Sequence, residues 1–143
     1  MSSKEVRETI LAFGHENILA THPSTLMFTK EKHLSKTGDC IVAVAANKAA
    51  VDLNTEFIGA IRKNNARLLV SIEVDGLRAQ LKAYGSQKLI LSHPTDLVIR
   101  KSGFITDRTM AICADKSSAD LSRVLVEKMK NPKQQIHVEL VVC

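Results

Sequence analysis

The sequence predicts a mainly β protein, an antiparallel β-barrel or β-sandwich with two α-helices packed outside it. The first observation is an internal repeat: Arg7–His33 aligns with Arg78–Phe104 and Asp39–Val74 aligns with Asp107–Val142, with about a quarter of the aligned residues identical. The second is that each repeat reads as four short β-rich segments, one helical segment and a final strand. We therefore expect a single domain over residues 1–143, built by duplication from repeats 6–74 and 77–142.

Five strands and one helix are predicted in the first repeat. The strands are Val6–Phe13, Asn17–Thr21, Thr25–Lys30, Cys40–Ala46 and Arg67–Val74. The second of these stops at His22-Pro23, because proline lacks the N–H that a sheet requires. The last alternates apolar and polar side chains, as a half-buried strand does. Apolar residues at three- and four-residue spacing predict a helix from about Ala50 to Asn64.

The second repeat follows the same plan. Its predicted strands are Leu77–Tyr84, Lys88–Ser92, Asp96–Lys101, Arg108–Ala114 and Gln135–Val142, with a helix from about Ser118 to Lys130. Asp75-Gly76 lies between two alternating runs and predicts a tight hairpin that joins the repeats. By pseudo-twofold symmetry, the C-terminal strand should then pair with the N-terminal strand. This pairing would close both edges of the sheet.

The composition is that of an ordinary soluble domain. The chain has 143 residues, of which 45% are hydrophobic and 24% charged, and a formal net charge of +5. Such a charge permits an anionic partner without identifying one. The chain has no Trp, one Tyr and four Phe, so it offers few aromatic surfaces on which a single-stranded nucleic acid could stack its bases.

Other features of the sequence indicate the cellular compartment of the protein. No apolar run approaches the roughly 18 residues of a membrane-spanning helix, and the polar start MSSKEVRETI does not resemble a secretory signal. The three cysteines, Cys40, Cys113 and Cys143, are far apart and form no C-x-x-C pair. We therefore expect a cytoplasmic protein with reduced thiols rather than disulfides or a zinc site.

Histidine before proline occurs in both repeats, at His22-Pro23 and His93-Pro94. If the two halves face each other, His22 and His93 would meet near the pseudo-twofold axis. With His15 or Asp96 they would form a nitrogen and oxygen metal set. The alternative is a turn in which the His-Pro pair simply ends a strand.

A lysine and an acid also recur at the start of each predicted helix, as Lys48 with Asp52 and Lys116 with Asp120. One interpretation is an ion pair between residues four apart on the helix. The other is an anion site that binds phosphate or carboxylate. Its donors would be the lysines, the hydroxyl group of Ser117 or Ser118, and free helix N–H groups.

Residues that the repeats do not share are a third candidate. His15 and His33 correspond to Ser86 and Phe104 in the second repeat. Because one copy can specialise after duplication, the segment 14–17, together with Thr29-Lys30, is a candidate for a single functional centre. A polar loop at the end of a strand is the alternative.

Several of these residues also carry a family resemblance. Gly14-His15-x-Asn17-Ile18-x-Ala20-Thr21-His22, then Thr29-Lys30, Gly38-Asp39-Cys40-Ile41 and Asp52-Leu53, resemble the archaeal family known as domain of unknown function 371. The resemblance runs over nearly the whole chain. It implies an archaeal cytoplasmic protein with a mainly β, jelly-roll-like barrel, and it implies no activity, cofactor or substrate.

Three functions follow as hypotheses. The first is a module that binds a small anionic ligand, with candidate residues His15, His22, Thr29, Lys30, Lys48, His93, Lys116 and Ser117. The second is metal-assisted hydrolysis by His15, His22 and His93 with an acid such as Asp39, since neutral imidazole is a common ligand and base. The third is a nucleic-acid or ribonucleoprotein accessory role, which rests on net charge alone. The oligomeric state is left open.

Overall fold

The computed structural model describes residues 5–143, which form eight β-strands and two short α-helices. The strands are Val6–Phe13 (β1), Thr25–Thr29 (β2), Ile41–Ala43 (β3), Arg67–Val74 (β4), Leu77–Tyr84 (β5), Asp96–Arg100 (β6), Thr109–Ala111 (β7) and Gln135–Val142 (β8). The helices are Thr55–Ile61 (α1) and Arg123–Met129 (α2), preceded by 3₁₀ turns at Ala50–Asp52 and Ser118–Asp120. The protein is therefore mainly β, as predicted.

The strands form two four-stranded sheets, which we call sheet A (order β1-β8-β4-β5) and sheet B (order β3-β2-β6-β7). Strands β1 to β4 of the first repeat correspond to β5 to β8 of the second. Exchanging each strand with its counterpart gives the same two orders read in reverse. All pairs in sheet A are antiparallel. In sheet B the central pair is antiparallel and the two outer pairs are parallel, which departs from the antiparallel pairing of a jelly roll.

Two predicted pairings in sheet A are confirmed. Strands β4 and β5 form a hairpin whose turn residues Asp75 and Gly76 have φ angles of 48° and 78°, the left-handed conformation that tight hairpins require. Strand β8 pairs with β1 along its full length, from Val6 opposite Val142 to Phe13 opposite Gln135.

The prediction that both edges close is wrong, and no closed barrel forms. Strands β1 and β5 remain at the edges of sheet A. Each touches sheet B through one isolated bridge, Phe13 with Val44 and Tyr84 with Ile112. The next residues along the chain, Ala45 and Cys113, have positive φ angles of 52° and 54°, so the extended backbone ends after a single bridge.

The predicted strands Asn17–Thr21 and Lys88–Ser92 are also wrong, since both segments are loops. Ala20 and Leu91 have φ angles of 49° and 55°, which interrupts an extended chain. The apolar residues that suggested strands instead anchor these loops, because the side chains of Ile18 and Leu89 are fully buried.

Each predicted helix is shorter than its apolar periodicity suggested. In the first repeat a 3₁₀ turn ends at Leu53, whose backbone is extended, and α1 begins after the N-cap Asn54. The Asn54 side chain accepts a hydrogen bond from the Phe57 N–H at 2.7 Å, which satisfies a free donor of the first turn. The second repeat has the same break before α2.

The core fills the space between the two sheets. Its largest fully buried side chains include Ile10, Leu26, Phe28, Ile72 and Leu97. Helix α1 packs against β1 and β8, and α2 packs against β3, β4 and β5. Within residues 5–143, none of the helices has the length and apolar character needed to span a bilayer.

Candidate functional site

The paired histidines close the turns that lead into β2 and β6. Nδ1 of His22 accepts hydrogen bonds from the N–H groups of Ser24 and Thr25, at 3.2 and 3.1 Å. Nδ1 of His93 accepts from Thr95 and Asp96, at 3.2 and 2.9 Å. Because a ring nitrogen that accepts carries no proton, these contacts favour the tautomer protonated at Nε2.

The same two histidines connect the halves through their backbone. The carbonyl oxygen of His22 accepts from the Ala119 N–H at 3.1 Å and from the Ser117 hydroxyl group at 3.0 Å. In the equivalent contact, the His93 carbonyl accepts from the Val51 N–H at 3.2 Å. Each His-Pro turn is therefore held by the 3₁₀ turn of the other repeat.

The ion pairs predicted within each helix start do not form. Asp52 pairs with Lys30 (Nζ to Oδ2, 3.0 Å), and Asp120 pairs with Lys101 (2.7 Å). Each carboxylate also accepts from the N–H three residues before it, at 2.9 Å. For Asp120, the hydrogen bond from Lys101 and then that from the Ser117 N–H lower the pKa to about 2. For Asp52, the Ala49 N–H and then Lys30 lower the pKa.

The two lysines of the predicted anion site are directed elsewhere. Nζ of Lys48 forms an ion pair with Glu8, whose side chain is buried. Nζ of Lys116 donates to the Gln80 carbonyl oxygen at 2.9 Å. Since Ser117 is fully buried and its hydroxyl group contacts His22, the donors expected to bind an anion here already have protein acceptors.

Glu8 is the centre of a buried polar group without a counterpart in the second repeat, where Ala79 is the aligned residue. Its carboxylate accepts from the N–H groups of Asn54 and Thr9, at 2.8 and 2.9 Å, as well as from Lys48. Burial by itself would raise the pKa of Glu8. The hydrogen bonds from Lys48, Asn54 and Thr9 outweigh burial and lower the pKa below 4.5.

His15 anchors a loop to the end of α2. Its Nδ1 accepts from the Asn17 N–H at 3.0 Å, and its own N–H donates to the Met129 carbonyl at 2.9 Å. Among residues 5–143, no hydrogen bond or ion pair joins His15, His22 and Lys30 to one another, and His33 lies exposed on a separate loop. Within that part of the chain, no three His, Cys, Asp or Glu side chains are grouped to bind a metal ion.

Two of the predicted residues, Thr29 and His93, lie instead beside a buried charge at one end of the central strand pair of sheet B. Thr29 and Asp96 are opposite each other on β2 and β6. The Thr29 hydroxyl group donates to Asp96 Oδ1 at 2.8 Å, and Arg108 Nη1 donates to Oδ2 at 2.9 Å. Nε2 of His93 lies 3.9 Å from the same carboxylate. Sequence reasoning did not identify Arg108.

Arg100 lies at the other end of β6, opposite Thr25, and is linked to this group through the Arg108–Thr109 segment. Its Nε donates to the Thr109 hydroxyl group at 3.1 Å, and its Nη2 lies 3.4 Å from that of Thr106. The guanidinium group also lies over the Phe104 ring, 5.2 Å from its centroid. No carboxylate of residues 5–143 pairs with Arg100. Burial, and then the neighbouring charge of Arg108, lower the pKa of Arg100.

We call Thr29, Asp96, Arg100, Arg108 and Thr109 the axial cluster, because β2 and β6 form the central pair of sheet B. All of its charges come from the second repeat. The residues aligned with Asp96, Arg100 and Arg108 are Thr25, Thr29 and Cys40, which are uncharged at neutral pH. The signal that could have identified the cluster was therefore this change from neutral to charged residues between aligned positions.

Cavities on the outer face of sheet A lie away from the axial cluster. One of about 450 Å³ lies on the outer face of sheet A, lined by residues that include Thr9, Ser71, Arg78 and His137. The axial cluster is instead a half-buried group of charges close to the protein surface, since the Arg108 side chain is 42% exposed.

Comparisons with known proteins agree with the resemblance in the sequence. An uncharacterized protein of Methanocaldococcus jannaschii is 45% identical over 127 residues, which cover 89% of this chain and 93% of that protein. The model of a family described as a domain of unknown function matches residues 10–143. The chain therefore belongs to the domain of unknown function family DUF371.

Proposed function

We propose that the protein binds a small ligand with an oxyanion group, a phosphate or a carboxylate, between Arg100 and Arg108. One observation carries this proposal: within residues 5–143 the Arg100 guanidinium group has no carboxylate partner, and its neighbour Arg108 already pairs with Asp96, the one acid of the axial cluster. An anion would neutralise the charge that the cluster leaves uncompensated. This function agrees with the first hypothesis from the sequence but places the site on different residues.

Hydrogen-bonding capacity supports the proposal. A guanidinium group has five N–H donors, and Arg100 uses two of them on Thr109 and Thr106. The remaining donors have the planar, forked geometry that binds two oxygens of one phosphate or carboxylate. Partial burial strengthens such contacts, because water screens them less than at a fully exposed site.

Phe104 supports the proposal from a second direction. Its side chain is 62% exposed, and its ring lies against the Arg100 guanidinium group. This contact holds Arg100 in place by a cation–π attraction. The exposed part of the ring would also contact an apolar portion of the ligand, so we infer that the ligand is a small organic anion.

Calorimetric titration with inorganic phosphate and with small carboxylates tests this function. We expect binding by the unaltered protein, and at least about tenfold weaker binding by Arg100→Gln. Arg62→Gln is the matched control, because it removes the same charge as Arg100→Gln. Arg62 is exposed and has no ion partner within residues 5–143. Arg100→Lys keeps the charge without the fork and should bind with intermediate affinity.

Two results would contradict the proposal. One is the absence of binding by the unaltered protein to any of these oxyanions at low salt. The other is equal affinity in Arg100→Gln and Arg62→Gln, since a response to net charge alone needs no specific site. Thermal unfolding without ligand shows whether each variant is folded.

We also propose that the two repeats arose by duplication within one domain in a cytoplasmic protein. The symmetric strand order and the equivalent contacts of His22 and His93 support the duplication. Three free cysteines, two of them exposed, support a reducing compartment.

A further inference from the structure

The outer face of sheet A divides into two parts that differ in charge pairing. In one part, arginines are matched by acids: Arg7 pairs with Glu139 at 3.2 Å and Arg78 with Glu73 at 3.4 Å. These pairs leave that part of the face with little net charge. The other part surrounds Tyr84 near the end of β5 and has a different character.

Two cations, Arg67 and Lys82, lie beside Tyr84, and a third, Lys116, lies at Gln80, roughly 13 Å farther along β5. Strand pairing places Arg67 opposite Tyr84 and Lys82 opposite Leu69. Within residues 5–143, neither Arg67 nor Lys82 has an ion partner, and Lys116 donates to the Gln80 carbonyl oxygen. One acid is also present, since Asp115 accepts from the Lys82 N–H at 2.9 Å. Three cations and one acid leave this part of the sheet with a net positive charge, which favours an anionic partner.

A groove accompanies these charges. A cavity of about 370 Å³ is lined by Arg67, Leu68, Leu69, Lys82, Ala83, Tyr84 and Cys143, which we call the Tyr84 groove. Tyr84 is the only tyrosine of the chain, and the residue is 42% exposed. Side chains at alternate positions of a strand point to the same face, so Lys82 and Tyr84 lie roughly 7 Å apart along β5.

At the opposite edge of the sheet, the aligned positions carry no charge. The residues aligned with Lys82, Tyr84 and Arg67 are Leu11, Phe13 and Gln135. Lys48, which is aligned with Lys116, is neutralised by Glu8. The cationic character is thus present at only one of two edges that have the same backbone arrangement.

We propose that the Tyr84 groove binds a segment of single-stranded nucleic acid. A base would stack on the Tyr84 ring, and the flanking phosphates would contact Arg67, Lys82 and Lys116. An aromatic ring beside cations on a sheet surface is the combination by which single strands are bound without sequence preference. The site is separate from the axial cluster and does not depend on the function proposed for it.

Fluorescence anisotropy with labelled single-stranded oligonucleotides of about ten bases tests the proposal. Three phosphate contacts predict that the logarithm of the binding constant falls with the logarithm of salt concentration at a slope of about −2. We expect Tyr84→Leu to weaken binding about tenfold, since stacking on an aromatic side chain contributes roughly 1–3 kcal/mol per base.

Matched variants separate the site from net charge and from the axial cluster. Lys82→Gln should weaken binding several-fold, whereas Lys36→Gln, which removes an exposed lysine from the loop before β3, should not. Arg100→Gln should bind the strand as the unaltered protein does. Failure of strand binding would therefore leave the oxyanion proposal intact, and the reverse also holds.

Three outcomes would overturn the proposal. They are the absence of binding at low salt, equal affinity of Tyr84→Leu and the unaltered protein, and duplex binding as tight as single-strand binding. The last would show contact with phosphates alone, because duplex bases are not available to stack on Tyr84. Circular dichroism of each variant checks that it is folded.

Discussion

Asp96 accepts a hydrogen bond from Arg108 at 2.9 Å and a second from Thr29 at 2.8 Å, at one end of the central strand pair of sheet B. The residue is buried, so its charge depends on these partners rather than on water. Arg100 lies at the other end of the same strand and has no carboxylate partner among residues 5–143. This imbalance is the basis of the oxyanion site that we propose.

The first prediction concerns the pair of Asp96 and Arg108. Asp96→Asn should lower the free energy of unfolding by about 1–3 kcal/mol, because it leaves Arg108 and Thr29 without their charged acceptor. Arg108→Met should lower the free energy of unfolding by less than Asp96→Asn does, since the Arg108 side chain is 42% exposed. Urea denaturation of both single variants and the double variant should give a coupling of at least about 0.5 kcal/mol. Strict additivity would show that the two side chains do not interact.

The second prediction concerns Glu8 and pH. Because the pKa of Glu8 is lowered in the folded protein, its contribution to stability is present above the ordinary value of 4.5 and is lost as the pH falls through the lowered pKa. Near neutral pH, Glu8→Gln should lower the free energy of unfolding by about 2–3 kcal/mol, because Lys48 loses its partner.

Urea denaturation at several pH values measures this effect. The difference in stability between the unaltered protein and Glu8→Gln should shrink in acid. Glu139→Gln is the control, since Glu139 pairs with Arg7 on the surface and an exposed ion pair contributes at most about 1 kcal/mol. A difference that stays constant with pH would rule out an ionised Glu8 as the cause.

The third prediction contrasts two glycines. A Cβ atom at Gly14 would lie 2.2 Å from the Met129 carbonyl oxygen, whereas a Cβ atom at Gly59 would have no neighbour within 4 Å. Gly14→Ala should therefore destabilise the protein by more than about 1 kcal/mol, because backbone must move. Gly59→Ala should stabilise it by about 0.5–1 kcal/mol, since Gly59 lies within α1. Thermal unfolding should show melting temperatures that move in opposite directions.

The fourth prediction concerns the ion pair between Lys101 and Asp120. In nuclear magnetic resonance titrations, the Asp120 carboxyl group should titrate with a pKa of about 2. In Lys101→Gln this pKa should rise toward the ordinary value of 3.8. Lys30→Gln, which breaks the equivalent pair with Asp52, should leave Asp120 unchanged. A normal pKa in the unaltered protein would mean that the pair does not persist in solution.

Local sequence patterns were sufficient for half of the strands. β1, β4, β5 and β8 match their predicted bounds residue for residue, because each is a long strand bounded by a turn or a loop. The loops at Ala20 and Leu91 were mistaken for strands. Alanine and leucine give no sequence signal for the left-handed conformation that both adopt.

Side-chain partners were harder to predict than backbone structure. The spacing of Lys48 and Asp52 suggested a contact within a helix, yet that segment is a 3₁₀ turn followed by an extended residue. Asp52 instead pairs with Lys30, which is distant in sequence and brought close by the end of β2. Periodicity describes neighbours along one element and does not determine contacts between elements.

The candidate site was partly accessible from the sequence. Thr29 and His93 were identified, and both contact or approach Asp96. Arg100 and Arg108 were missed, although both stand where the first repeat has uncharged residues. Arg100 and Arg108 are close because β6 and β7 pair in parallel. The alternation of apolar and polar residues in such short strands does not reveal which strands pair.

Nuclear magnetic resonance of the arginine Nε–H groups during titration with inorganic phosphate tests the oxyanion site most directly. We predict that the signals of Arg100 and Arg108 shift together and saturate with one dissociation constant, while the signal of Arg62 does not move. In Arg100→Gln, which lacks the Arg100 signal, the shift of Arg108 should disappear or fall strongly in size. Equal, non-saturating shifts of all three arginines would contradict the account, because they would reflect general screening of charge rather than a bound anion.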